Sequence, residues 1–119
     1  MSVQQKIDLA IRTFGSISIQ DFVEISNFSK KDGFYNSEEI QKIGNRGHFI
    51  TSPEISSLFG KCLTNQFLSV FSGVKKVHLI EFGPGNGYLT LDILHYLKSK
   101  KIDVKKISIL EKSDYFVKE

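Results

Sequence analysis

Apolar residues recur at helical spacing from the start of the chain. Val3, Ile7, Ala10, Ile11 and Phe14 share one face, and Gly15 follows. This predicts a helix over 3–14 that a glycine ends. A second helix should begin behind Ser18, with Asp21 in its first turn and Ile17 placed to staple onto Phe22. Phe22, Val23, Ile25 and Phe28 supply its apolar stripe, and Asp32-Gly33 marks a turn beyond it. Residues 36–53 lose the periodicity and read as loop. A long helix then starts with Ser52 as cap and Pro53 at its first position, where a missing N–H costs nothing. Ile55, Leu58, Phe59, Cys62, Leu63, Phe67, Val70 and Phe71 form its face, which is expected to be buried, and Gly73 closes it.

The period then changes. "KKVHLIEFG" is a short apolar run, too short for a helix, and reads as a buried strand. "GYLTLDILHYLKSKK" returns to helical spacing through Leu89, Ile93, Leu94, Tyr96 and Leu97, and it ends in lysines as the helix dipole favours. "VKKISILEKS" is a second strand. A strand–helix–strand unit of this size implies parallel strands and a right-handed crossover. The fold class is therefore α/β, with a helical segment over 1–73 followed by a β-α-β unit over 74–119.

Between the first strand and its helix lies Glu81-Phe-Gly83-Pro-Gly85-Asn-Gly87. Glycine admits positive φ and lets a ligand approach the backbone. The crevice at the carboxyl ends of parallel strands is where open α/β sheets bind ligands, and a helix start favours a negative group. The spacing E-x-G-x-G-x-G is not the dinucleotide fingerprint, whose third glycine would fall at Tyr88, and no Gly-Lys-Ser/Thr follows for a phosphate loop. An acid before the first glycine suits a ligand with an amine and a cationic centre. S-adenosylmethionine has that character, and Glu111, closing the second strand, is placed to accept bonds from both ribose hydroxyls. The plain alternative is a tight strand-to-helix turn without a ligand.

A longer resemblance joins these pieces. "GHFITSPEISSLFG" (47–60), "GSISIQDFVEIS", "GFY", "LIEFGPGNGYLTLDIL" and "ISILEKS" together cover nearly the whole chain. They resemble the MidA family of S-adenosylmethionine-dependent protein-arginine methyltransferases, which includes mitochondrial complex I assembly-factor methyltransferases. The resemblance implies a Rossmann-like methyltransferase fold, S-adenosylmethionine as cofactor and an arginine of a respiratory complex I subunit as acceptor. It also implies that Gly83, Gly85 and Gly87 contact the cofactor, that Glu81 supports its methionine end, and that Glu111 holds the ribose. Thr51, Ser52 and Pro53 would line the cleft with Glu54, which is the candidate catalytic carboxylate. A first-turn acid that stabilises a helix start is the alternative for Glu54.

The sequence departs from the family pattern at His48, where the family has Asp, and at Lys30, where it has Pro. The family fold resembles a seven-stranded sheet, of which two strands are recognisable here. The expectation is a truncated chain whose open sheet edge needs cover. An active enzyme would then take a separate C-terminal half or self-association. The alternatives are a non-catalytic remnant and an interaction module.

Composition narrows the partners. The chain has 119 residues and a net charge of +3, with two arginines. Residues 1–72 carry seven Lys/Arg and seven Asp/Glu, and the excess lies in lysine pairs such as Lys75-Lys76. Nucleic-acid readers concentrate basic side chains in a stripe, so no nucleic acid is expected. No apolar run reaches membrane-spanning length. The N-terminus lacks signal-peptide features, which points to the cytoplasm rather than the mitochondrial matrix. His48, His78 and His95 share no ligand spacing, so no metal is expected. Cys62 excludes an internal disulfide and is expected to be a buried small hydrophobe.

Overall fold

The computed structural model describes residues 1–118. Its contacts group into two units, 1–42 with 112–118, and Ile43–Glu111. They thus divide the residues differently from a cut at 73/74.

In the N-terminal unit, α1 spans Val3–Phe14. Its start carries a reciprocal capping box: the Gln5 N–H donates to Ser2 Oγ at 3.3 Å and the Ser2 N–H donates to Gln5 Oε1 at 2.9 Å. Gly15, at φ 78°, closes it by donating to the Ile11 carbonyl at 2.8 Å. α2 spans Ile19–Phe28, and Ser18 caps it by accepting from the Asp21 N–H at 3.0 Å. Ile7 is buried, whereas Phe22 and Val23 are exposed and Ile25 and Phe28 half-buried, so the expected α2 stripe is only partly covered.

The chain after α2 folds back on it. Phe34 and Tyr35 donate to the Ser26 and Asn27 carbonyls, each at 2.9 Å, and the Tyr35 ring stacks on Phe28 at 5.5 Å. The residues from Lys112 onward complete this unit. Ser113 Oγ donates to the Tyr35 carbonyl at 2.5 Å, and the Asp114 N–H donates to Asn36 Oδ1 at 2.9 Å. Buried Lys42 donates to the Ser37 carbonyl and lies 3.5 Å from the Tyr115 ring centroid. Burial lowers its amine pKa, and nearby Glu38 opposes that shift.

The second unit holds the β-α-β element. β1 (Lys76–Phe82) and β2 (Asp103–Leu110) pair in parallel across α5 (Tyr88–Ser99). The register pairs Val77 with Val104 and His78 with Lys106, so Lys105 is an extra residue, and it runs on to Phe82 with Leu110. β1 is not buried on both faces as expected. Val77, Leu79 and Glu81 are half-buried while His78, Ile80 and Phe82 are exposed, the alternation of a strand covered on one side. Ile93 and Leu97 of α5 form the apolar core here.

The long helix expected from Pro53 is two helices. α3 is a single turn, Ser52–Ile55, with Thr51 rather than Ser52 at the cap position. Ser56 is extended at φ −161°, which breaks the helix before α4, Leu58–Val70. The buried face of α4 is also not the apolar one. Gly60 and Thr64 are buried, whereas Leu58, Phe59, Phe67 and Val70 are exposed, as is Cys62. The reason is close packing on α5. A Cβ added at Gly60 would lie 2.6 Å from Asp92 Cβ, so the small-residue face is the one that fits this neighbour.

Candidate functional site

β1 ends at Phe82, and the ladder reaches one residue further, where the Gly83 N–H donates to the Leu110 carbonyl at 2.8 Å. Glu111 therefore follows directly beside the first glycine of the loop. The three glycines have φ of 63°, 57° and 76° at Gly83, Gly85 and Gly87. An L-residue pays roughly 1–2 kcal/mol for each such left-handed conformation. The loop closes through Gly87, whose N–H donates to the Pro84 carbonyl at 3.0 Å. Gly87 then starts α5 without a side-chain cap.

An added Cβ at Gly83 or Gly87 would meet nothing within 4 Å, so both face open space. At Gly85 it would lie 2.9 Å from Ile43 Cδ1. A Gly85 side chain thus meets Ile43 of the preceding segment, and the openness of the cradle belongs to its two outer glycines. Glu81 lies at the base of the loop. Its carboxylate accepts from the Thr90 hydroxyl on α5, tying the end of the strand to the first turn of the helix. Burial raises its pKa above the ordinary value, because a carboxylate is less stable out of water.

The T-S-P-E block meets this loop through Glu54, whose Oε1 accepts from Asn86 Nδ2 at 3.0 Å. A cavity of about 450 Å³ lies alongside, lined by Pro53, Glu54, Ser56, Tyr88 and Asp92. Thr51 and Ser52 have exposed side chains at the start of α3. The structure thus gathers Glu54, Glu81, Glu111 and the three glycines at one end of the sheet, with Pro53 in the adjoining cavity. Sequence reasoning missed Ile43, Asn86 and Thr90. Their signal was weak: an amide between two glycines, and a hydroxyl at a helix position that proves to be buried.

A separate cavity of about 1030 Å³ belongs to the N-terminal unit and is lined by residues such as Lys30, Asp32, Glu38 and Tyr115. Its cations and acids are interspersed, and it holds none of the loop residues.

Residues 62–119 match a family model of S-adenosyl-L-methionine-dependent methyltransferases. Mouse (Mus musculus) mitochondrial protein arginine methyltransferase NDUFAF7 is 33% identical over 112 residues, 86% of this chain and 25% of that protein. The human (Homo sapiens) protein of the same name is 32% identical over 112 residues, with the same shares. A Burkholderia thailandensis protein assigned as a methyl transferase and bound to S-adenosyl-homocysteine superposes with a TM-score of 0.77. It is 25% identical, and the match covers 98% of this chain and 31% of that one. The chain resembles the MidA family of S-adenosylmethionine-dependent methyltransferases. A second Burkholderia thailandensis structure, at 23% identity and TM-score 0.64, shares the fold over 90% of this chain and 26% of its own. The chain spans about a quarter of the length of the curated relatives it matches. Its glycine loop, Glu81 and Glu111 lie in a β-α-β unit of Rossmann-like form.

Proposed function

We propose that this chain supplies the cofactor-binding portion of a S-adenosylmethionine-dependent protein-arginine methyltransferase. The observation that carries the reading is the open glycine cradle at the ends of two parallel strands, with Glu81 beneath it and Glu111 beside it. The donor set fits the cofactor. Gly83 and Gly87 leave room for a ligand against the backbone. Glu111 stands where a carboxylate accepts from vicinal hydroxyls, and the uncapped start of α5 favours a carboxylate. When bound, S-adenosylmethionine supplies an electrophilic methyl group. The residues here bind and orient one side of it.

The acceptor is an arginine side chain of a protein, as the names of the mouse and human relatives support. A subunit of respiratory complex I is the specific target we propose, from the resemblance of the T-S-P-E block and glycine loop. Methyl transfer requires both reactants to be held in line, and proximity and orientation supply roughly 7–11 kcal/mol of barrier reduction. The glycine cradle with Glu81 and Glu111 would serve the cofactor side of that arrangement. The exposed apolar side chains of α4 and of the sheet face bearing Ile80, Phe82 and Leu110 are surfaces of the kind that meet further polypeptide. We therefore propose that activity needs further polypeptide, from a C-terminal half or from self-association.

The test is a radiolabelled methyl-transfer assay on an arginine-containing complex I subunit peptide. The 119-residue chain should incorporate no label by itself, and label should appear when the remainder of a relative's domain is supplied. Robust incorporation by the chain alone would overturn the requirement. No incorporation with the remainder present would count against the activity and favour a non-catalytic cofactor-binding remnant.

A further inference from the structure

Three glycines within five residues make a loop that is costly to order, because glycine loses more backbone freedom on folding than any other residue. The ends of this loop are held by backbone: Gly83 donates to Leu110 and Gly87 donates to Pro84. Its middle is held by side chains. Ile43 packs on Gly85, and the Asn86 amide donates to Glu54 at 3.0 Å across 32 residues of sequence. Gly44 lies behind the same carboxylate, 3.8 Å from Glu54 Oε2 at its Cβ position.

We infer that Asn86 is a positioning residue, whose amide latches the glycine loop to the helix of the T-S-P-E block through Glu54. The inference rests on reading the loop as a cofactor cradle. Glu54 is then an anchor for the loop that acts through Asn86 and not on the acceptor. The chemistry is specific, since a carboxylate has no proton of its own to offer and residue 86 must donate. A bond of this kind to an ionised acceptor is shorter and stronger than one between neutral groups. A loop held in its binding conformation binds more tightly, because less ordering remains to be done on association.

Asn86→Asp keeps the shape and replaces the donor with a second carboxylate facing Glu54. At pH 8 it should weaken S-adenosyl-homocysteine binding by roughly tenfold relative to the unchanged chain, a loss in the range of a charge-assisted hydrogen bond. Near pH 5 the ratio should fall toward one, because two facing carboxylates share a proton and the donor returns. Adding Glu54→Gln should restore binding at pH 8, with the amide now donating in the opposite direction. A merely structural role would lower affinity equally at both pH values and show no rescue.

Amide hydrogen exchange at residues 85–88 reads the latch directly. It should be faster in Asn86→Asp at pH 8 and return to the parent rate in the double variant. Parent-like binding and exchange in Asn86→Asp, or no rescue, would overturn the latch. If the unchanged chain failed to bind S-adenosyl-homocysteine, the cradle reading would fall, and the exchange comparison would still decide the latch.

Discussion

Gly60 offers the sharpest test of how the second unit is packed. It lies inside α4, where glycine is disfavoured by about 1 kcal/mol against alanine, so propensity alone predicts that Gly60→Ala stabilises. The structure predicts the reverse. The new Cβ would sit 2.6 Å from Asp92 Cβ and 3.6 Å from the Ile93 nitrogen. Asp92 Cβ is fixed to the α5 backbone, so a rotamer change cannot relieve the contact and the helices must separate. Overpacking of this kind costs roughly 1–3 kcal/mol, and subtracting the propensity gain leaves a net loss of about 1 kcal/mol or somewhat more. Urea unfolding followed by circular dichroism measures it, with Gly60→Ala expected at a lower midpoint and an unchanged slope. A coupled variant separates clash from propensity. In an Asp92→Gly background the Cβ partner is gone, and Gly60→Ala should become neutral or stabilising. Equal or greater stability of Gly60→Ala in the parent chain would refute the close approach of α4 and α5.

Other predictions follow from single residues. Gly87→Ala and Gly15→Ala both place an alanine at positive φ in open space, so each should cost about 1–2 kcal/mol of stability, while Gly87→Ala alone should also weaken S-adenosyl-homocysteine binding. Equal effects of the two on binding would contradict the cradle. Glu81 binds its proton more tightly folded than unfolded, so its contribution lowers stability as pH rises from 4.5 toward the folded value, and the penalty is complete above that. Glu81→Gln keeps an acceptor for Thr90 and should flatten this part of the pH–stability curve while gaining stability at pH 7, and an unchanged slope would argue against it. With Leu58, Val70, Phe71 and Phe82 exposed, the isolated chain should self-associate. Light scattering that finds a monomer at high concentration would count against this.

Local signals were the legible part of the sequence. Gly15, Ser18 and the glycines of the loop act within a few residues of themselves, so the close of α1, the start of α2 and the βα turn follow from near neighbours. The β-α-β order follows from the change of period. The α4 face was not legible, because periodicity shows which residues share a face and not which face a neighbour takes. There the partner selected Gly60 and Thr64, which carry no hydrophobic signal. The break at Ser56-Ser57 was hidden because Ile55, Leu58 and Phe59 keep the helical spacing across it. The candidate site was legible in Glu81 and the glycines, which form one contiguous motif, and in Glu111, which closes the second strand. Ile43, Asn86 and Thr90 were not, since their roles depend on tertiary contacts.

Calorimetric titration of the chain with S-adenosyl-homocysteine tests the central claim most directly, that the loop from Gly83 to Gly87 with Glu81 and Glu111 holds this cofactor. The account predicts saturable single-site binding, no binding of NAD, and roughly tenfold or greater weakening in Glu111→Ala through lost charge-assisted bonds to the ribose hydroxyls. Tighter binding of NAD than of S-adenosyl-homocysteine, or unchanged affinity in Glu111→Ala, would contradict it.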